Sequence, residues 1–210
     1  MGGFRTNVAM AMAIVIGAFT AAAWGNDASR AKAVESMKVC ESTDRMPANK
    51  KQEKLQALDK GLDLAEAAVA ADESDARAHL AIVCNLGRQI ELSGLSWRVF
   101  GQVRRLQSVM DRAHELGPDD PDILTAKGQI LRQMPGPLGG NKDAGTKLLL
   151  RAVEIQPDHV TARLYLAQAM ADAGAPDARK RLYEVLALAR KRGAVREESE
   201  AQQLIASLDD

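Results

Sequence analysis

Aromatic side chains make up 3% of this 210-residue chain, and it holds only two cysteines and three histidines. Each scarcity excludes something. Sheets want aromatic and β-branched side chains, so a chain poor in aromatics and rich in alanine and leucine points to close-packed helices. Lysine and arginine together match aspartate and glutamate at 28 each, which leaves no basic surplus to hold a phosphate backbone. A nucleic-acid partner is therefore not expected. His79, His114 and His159 stand at no metal-ligand spacing. The chain carries no Gly-x-Ser-x-Gly elbow, no His-Glu-x-x-His and no phosphate-cradling glycine loop. The expectation is a protein without catalytic residues, metal or cofactor. Gly139-Gly140 ahead of Lys142 fits either an anion site or a flexible turn leading into a helix. Cys40 and Cys84 either pair in an oxidising compartment or stay as two buried thiols.

The compartment is suggested by the first residues. Arg5 precedes an uncharged stretch, Asn7 to Trp24, whose apolar heart is Val8 to Phe19. Ala21-Ala22-Ala23-Trp24-Gly25 then supplies small residues suited to cleavage. One positive charge, an apolar run and a small-x-small end predict a secretory signal over 1–25. The alternative is an uncleaved anchor, because the run approaches the ~20 residues that span a bilayer. The expected location is periplasmic or secreted, with membrane contact only if the signal stays uncut.

Beyond it the chain repeats itself. Arg151-Ala152-Val153-Glu154 and Pro157-Asp158 match Arg112-Ala113-His114-Glu115 and Pro118-Asp119 at one offset of 39 residues. Ala162-Arg163 and Leu166-Ala167 match Ala76-Arg77 and Leu80-Ala81, and Gly128 takes the frame of Ala81 and Ala167. Small residues at these positions, and at Ala113, Ala152 and Ala178, suit helices that cross closely. Pro118 and Pro157 cannot continue a helix and mark the turns. Asp75, Asp122 and Asp158 are placed to cap helix starts.

These residues resemble the tetratricopeptide repeat, whose pattern is Trp-x2-Leu-Gly-x2-Tyr, then Ala-x3-Phe, then proline. Leu166-Ala167 with Met170, Leu80-Ala81 with Cys84, Gly128 with Leu131, and Ala178 with Leu182 take the corresponding slots in degenerate form. The resemblance covers about residues 75–190 and implies an all-α stack of antiparallel helix hairpins. The apolar period predicts helices over 28–41, 49–71, 75–92, 98–116, 122–134, 142–155, 159–173, 177–191 and 195–208. The organisation read from this is a signal at 1–25 and an N-terminal helix and loop at 26–48. A repeat domain at 49–191 and a capping helix at 192–210 follow. Ser93 to Trp97 and Met134 to Asn141 form longer connections than a plain repeat needs, and both should lie at one end of the stack. The Leu138-Gly139-Gly140 turn and the hairpin after it are similar to the T component of TRAP-type uptake systems. A weaker likeness runs to the regulator of microtubule dynamics family. The former implies a periplasmic accessory to a solute-binding protein, although the chain lacks the lipid-accepting cysteine common there.

In such a repeat the first helices line a concave groove. The residues expected there are Ile82, Asn85 and Leu86, then Thr125, Gln129, Arg132 and Gln133, then Leu164, Gln168 and Asp172. The set lacks the lysine and asparagine with which chaperone-binding members grip a terminal carboxylate. A protein or peptide partner is the leading expectation, with Trp97, Phe100 and Leu138 as loop contacts. An apolar small molecule, as in a transport accessory, is the alternative.

Overall fold

The computed structural model describes residues 26–94 and 100–208, with Phe100 described by its helical backbone alone. The expected signal, 1–25, and the expected loop contact Trp97 lie outside these residues, as does the Phe100 side chain. Among the described residues the fold is all-helical, with no strand. The helices are α1 Asp27–Ser42, α2 Lys51–Ala71, α3 Ala76–Ser93, α4 Phe100–Leu116 and α5 Pro121–Gln133. They continue with α6 Lys142–Ile155, α7 Val160–Asp172, α8 Ala178–Arg192 and α9 Val195–Ser207. A 3-10 turn, Thr43–Arg45, follows α1, and another, Gly136–Leu138, precedes α6.

The ends of these helices follow from local chemistry, with two departures from expectation. Asp75 caps α3 as expected, accepting from the Arg77 and Ala78 backbone N–H groups at 2.9 and 3.2 Å. Its second oxygen accepts from Ser29 Oγ at 2.6 Å, so one buried carboxylate fixes the start of α3 and ties it to α1. At α5 the cap is Asp120 rather than Asp122, because Pro121 occupies the first helical position and needs no donor partner. At α7 the cap is His159 rather than Asp158; its Nδ1 accepts from Ala162 N–H at 3.2 Å. Asp158 instead pairs with Arg192.

Consecutive helices pack on one another, and alternate ones touch as well: α1 on α3, α5 on α7, α7 on α9. The first helix is thus part of the packed body. It buries Ser29, Ala33, Ser36 and Cys40 against α2 and α3. Two apolar clusters do most of the joining. Leu80, Val83, Leu86, Leu106, Met110 and Ile123 bind α3, α4 and α5. Leu149, Leu164, Leu182, Val185 and Ile205 bind α6 through α9. Each fully buried leucine there contributes about 2 kcal/mol relative to exposure.

Small residues set how closely the helices approach. Ala81, Ala113, Ala152, Ala167 and Ala178 are all buried. At the crossing of α5 and α6 the two backbones themselves approach closely. A Cβ on Gly128 would lie 2.9 Å from the Gly145 carbonyl oxygen, and one on Gly145 only 2.5 Å from that of Gly128. The turn before α6 uses its two glycines fully: Gly139 takes φ +90°, and a Cβ on Gly140 would fall 1.8 Å from the Met134 carbonyl oxygen. A disulfide, Cys40–Cys84, staples α1 to α3. The chain then closes on itself. α9 packs on the turn after α1, where Asp44 lies 3.7 Å from Arg196.

Candidate functional site

That closure shapes a cleft of about 360 Å³. Odd-numbered helices supply most of its lining: Met37 from α1, Leu80, Val83 and Ile90 from α3, Gln129 and Ile130 from α5, Tyr165 from α7 and Arg196 from α9. Val103 and Leu106 of α4 and Leu138 of the turn before α6 complete the apolar wall. Periodicity explains the lining. On α3 the positions Leu80, Val83, Gly87 and Ile90 recur every three or four residues and share one face.

The opposite wall is polar and internally paired. Arg88 donates to Asp44 and Glu91 at 3.1 Å each. Arg196 donates to the Tyr165 hydroxyl at 3.0 Å, to Glu200 at 3.2 Å and to Glu197 at 3.0 Å. Its guanidinium carbon also lies 5.9 Å from the centre of the Tyr165 ring. Thr161 donates to Glu197 at 2.8 Å. Asp122 accepts from Arg77 at 2.7 Å and from His159 Nε2 at 2.9 Å. Since Nδ1 of His159 accepts from backbone, its proton sits on Nε2 and goes to Asp122. Both ring nitrogens are engaged, so this pair is no general base for a nucleophile.

The expected groove residues divide sharply. Gln129 and Gln133 line the cleft, and so do Thr125 and Leu138. Ile82 does not: it is buried among Ala65, Ala81 and Leu62, between α3 and α2. Leu86 and Leu164 are core residues of the two large clusters. Asn85 is fully buried on the far side of α3, where its amide nitrogen donates to Ser36 Oγ and to the Ala81 carbonyl at 2.9 Å each. Arg132 turns toward α6, donating to Thr146 and Asp172 at 2.7 Å each. Gln168 is half-buried and lies outside the lining. The flanks of the two long connections do come together: Gly101 and Arg104 share a second cleft with Pro137 and Leu138.

Sequence reasoning missed Asp44, Arg88, Tyr165 and Arg196, each of which has a partner far along the chain. It read Asp122 and His159 only as helix-start or ordinary residues. Among the described residues no group of three or more His, Cys, Asp or Glu side chains could hold a metal. No helix among them is long and apolar enough to cross a membrane.

The polar wall carries opposed shifts. Burial, reinforced by other carboxylates, pushes the Glu200 carboxyl above its ordinary 4.5, against the pull of Arg196. Burial likewise raises Asp44 and Glu41. Asp122 goes the other way, held below its ordinary 3.8 by the His159 hydrogen bond and, against burial, by Arg77. Folding therefore favours the protonated form of Glu200, and that contribution is lost as pH rises from 4.5 through the folded value. Asp122 contributes stability that is present above 3.8 and lost as pH falls through its folded value. Two substitutions should diverge accordingly in urea denaturation between about pH 3 and about pH 7. Glu200→Gln gains stability on the parent as pH rises, whereas Asp122→Asn loses ground. Parallel profiles would show that neither carboxyl is shifted.

Compared with known proteins, the chain matches no protein-family model and no curated protein.

Proposed function

We propose that this chain is a non-catalytic binding module, a tetratricopeptide-like helical stack that holds a small amphipathic molecule in its concave cleft. The observation carrying this reading is the cleft itself. About 360 Å³ of space, walled by Leu80, Val83, Ile90, Leu106 and Ile130, falls in the range of small-molecule sites. The small residues at repeated positions and the contacts between alternate helices support the stack. A carrier or transport accessory is also what the likeness to the T component implies, and the residues of 1–25 together with the disulfide favour an exported protein.

The other expectation, a protein or peptide partner laid along an open groove, loses most of its anchors. Ile82, Leu86 and Leu164 are in the core, and Asn85 and Arg132 are tied elsewhere.

The test uses the protein purified after full-length expression and the uncharged dye phenylnaphthylamine, whose fluorescence rises in apolar surroundings. Saturable enhancement is expected from the parent. Gly87 stands on the cleft wall of α3, and a Cβ there would meet nothing within 4 Å. Gly87→Leu should therefore fill the cleft without disturbing the helices and weaken dye binding about tenfold or more, with helicity unchanged. Absence of enhancement in the parent, or equal binding by the variant, would overturn the reading.

A further inference from the structure

The charges around the cleft are unevenly matched, and this restricts what can enter. Among the described residues its lining holds two arginines, Arg88 and Arg196. Arg88 is already shared between Asp44 at 3.0 Å and Glu91 at 3.1 Å. Arg196 is shared among Glu197 at 3.0 Å, Glu200 at 3.2 Å and Asp44 at 3.7 Å. Behind them Asp122 is satisfied by Arg77 and His159. Four carboxylates thus surround two guanidinium groups, so among the described residues of the lining no positive charge is left over for an incoming anion. An anionic head would either displace one of these carboxylates or be buried among them without a partner, and both are costly.

Neutral hydrogen-bonding groups are the ones left uncommitted. Gln129 and Gln133 lie on the lining face of α5, and neither side chain has a hydrogen-bond partner among the described residues. The Tyr165 hydroxyl, on a residue 9% exposed, accepts from Arg196. Its own O–H finds no acceptor among the described residues and remains to donate. Amide groups able to donate or accept, one hydroxyl donor and an apolar wall make a site for an apolar body with one uncharged polar head.

Resting on the cleft as a ligand site, we infer that it takes neutral amphiphiles bearing a hydroxyl, carbonyl or amide and discriminates against carboxylates of the same length. The reading puts the head at Gln129, Gln133 and Tyr165 and the chain along Leu80, Val83 and Ile130.

The experiment is displacement of bound phenylnaphthylamine by a medium-chain primary alcohol and by the carboxylate of equal chain length, at a pH where the latter is ionised. The alcohol should compete about tenfold more tightly or better. In Glu91→Gln, which frees part of Arg88, the carboxylate should improve and the gap should narrow. Equal or tighter competition by the carboxylate overturns the inference while leaving the cleft as a binding site. A gap unchanged in Glu91→Gln overturns its electrostatic origin. If the parent takes up no dye at all, the reading of the cleft fails together with this one.

Discussion

Replacing Cys40 and Cys84 together by alanine lowers the melting temperature by ~10 °C. The bond closes a loop of 44 residues, and the conformational freedom it removes from the unfolded chain corresponds to roughly 4 kcal/mol. For a chain of this size each kcal/mol moves the midpoint by about 2–4 °C. The location adds to the expectation, since Cys40 is fully buried and Cys84 stands at the cleft. The staple therefore holds α1 against the helix that supplies Leu80, Val83 and Ile90 to the apolar wall. Thermal melts with and without a thiol reductant check this. The parent should lose the same ~10 °C on full reduction, while the double variant should not respond. An unreactive parent with the melting point of the variant would mean that the bond does not form.

The crossing of α5 and α6 is the second place where a small change should have a large effect. Gly145→Ala adds one methyl group, and its Cβ would lie 2.5 Å from a backbone oxygen and 2.7 Å from Cγ of Arg132. A flexible side chain could move aside, but the Gly128 carbonyl belongs to a helix and cannot. The two helices must separate, loosening Leu149 from its seat over Gly128, and the expected loss is about 3 kcal/mol. Helix propensity alone would favour alanine by about 1 kcal/mol, so the sign of the change separates the two effects. Gly87→Ala makes the contrast. With nothing within 4 Å of the new Cβ, it should stabilise the chain by about 1 kcal/mol. Urea denaturation of the two variants beside the parent tests both. A Gly145→Ala protein as stable as the parent would mean that the crossing is looser than this geometry.

The helices and their contact points were largely legible in the sequence. Apolar periodicity marks their spans, and the recurring Ala81, Gly128 and Ala167 mark where neighbours approach. These are local or repeated signals. Gly145 escaped because it stands off the repeat frame, and only its facing partner gives it meaning. The cleft was read poorly for a related reason. Helix α3 is buried on two sides, so Ile82 and Leu80 look alike in sequence although one faces α2 and the other the cleft. Asn85 resembles a groove amide until Ser36, 49 positions earlier, is brought beside it. The acidic run around Pro121 offers three candidate caps, and the proline at the first helical position settles the choice on Asp120, freeing Asp122 for Arg77 and His159. The Arg88–Asp44–Arg196 bridge joins α3 and α9 through the turn after α1, and nothing local in the sequence announces it.

The contact between α9 and the turn after α1 bears on how the chain gains and loses structure. In a linear array of helix pairs each unit touches only its neighbours, so order can start anywhere and spread, and the ends fray independently. Here the last helix touches the first turn, through Asp44 and Arg196. The contact ties α9 to the turn after α1, which are far apart in the chain. Forming it closes a loop across most of the chain, which carries an entropic cost that neighbouring helix contacts do not. Once made, it adds a link between distant parts of the chain that a string of local equilibria lacks.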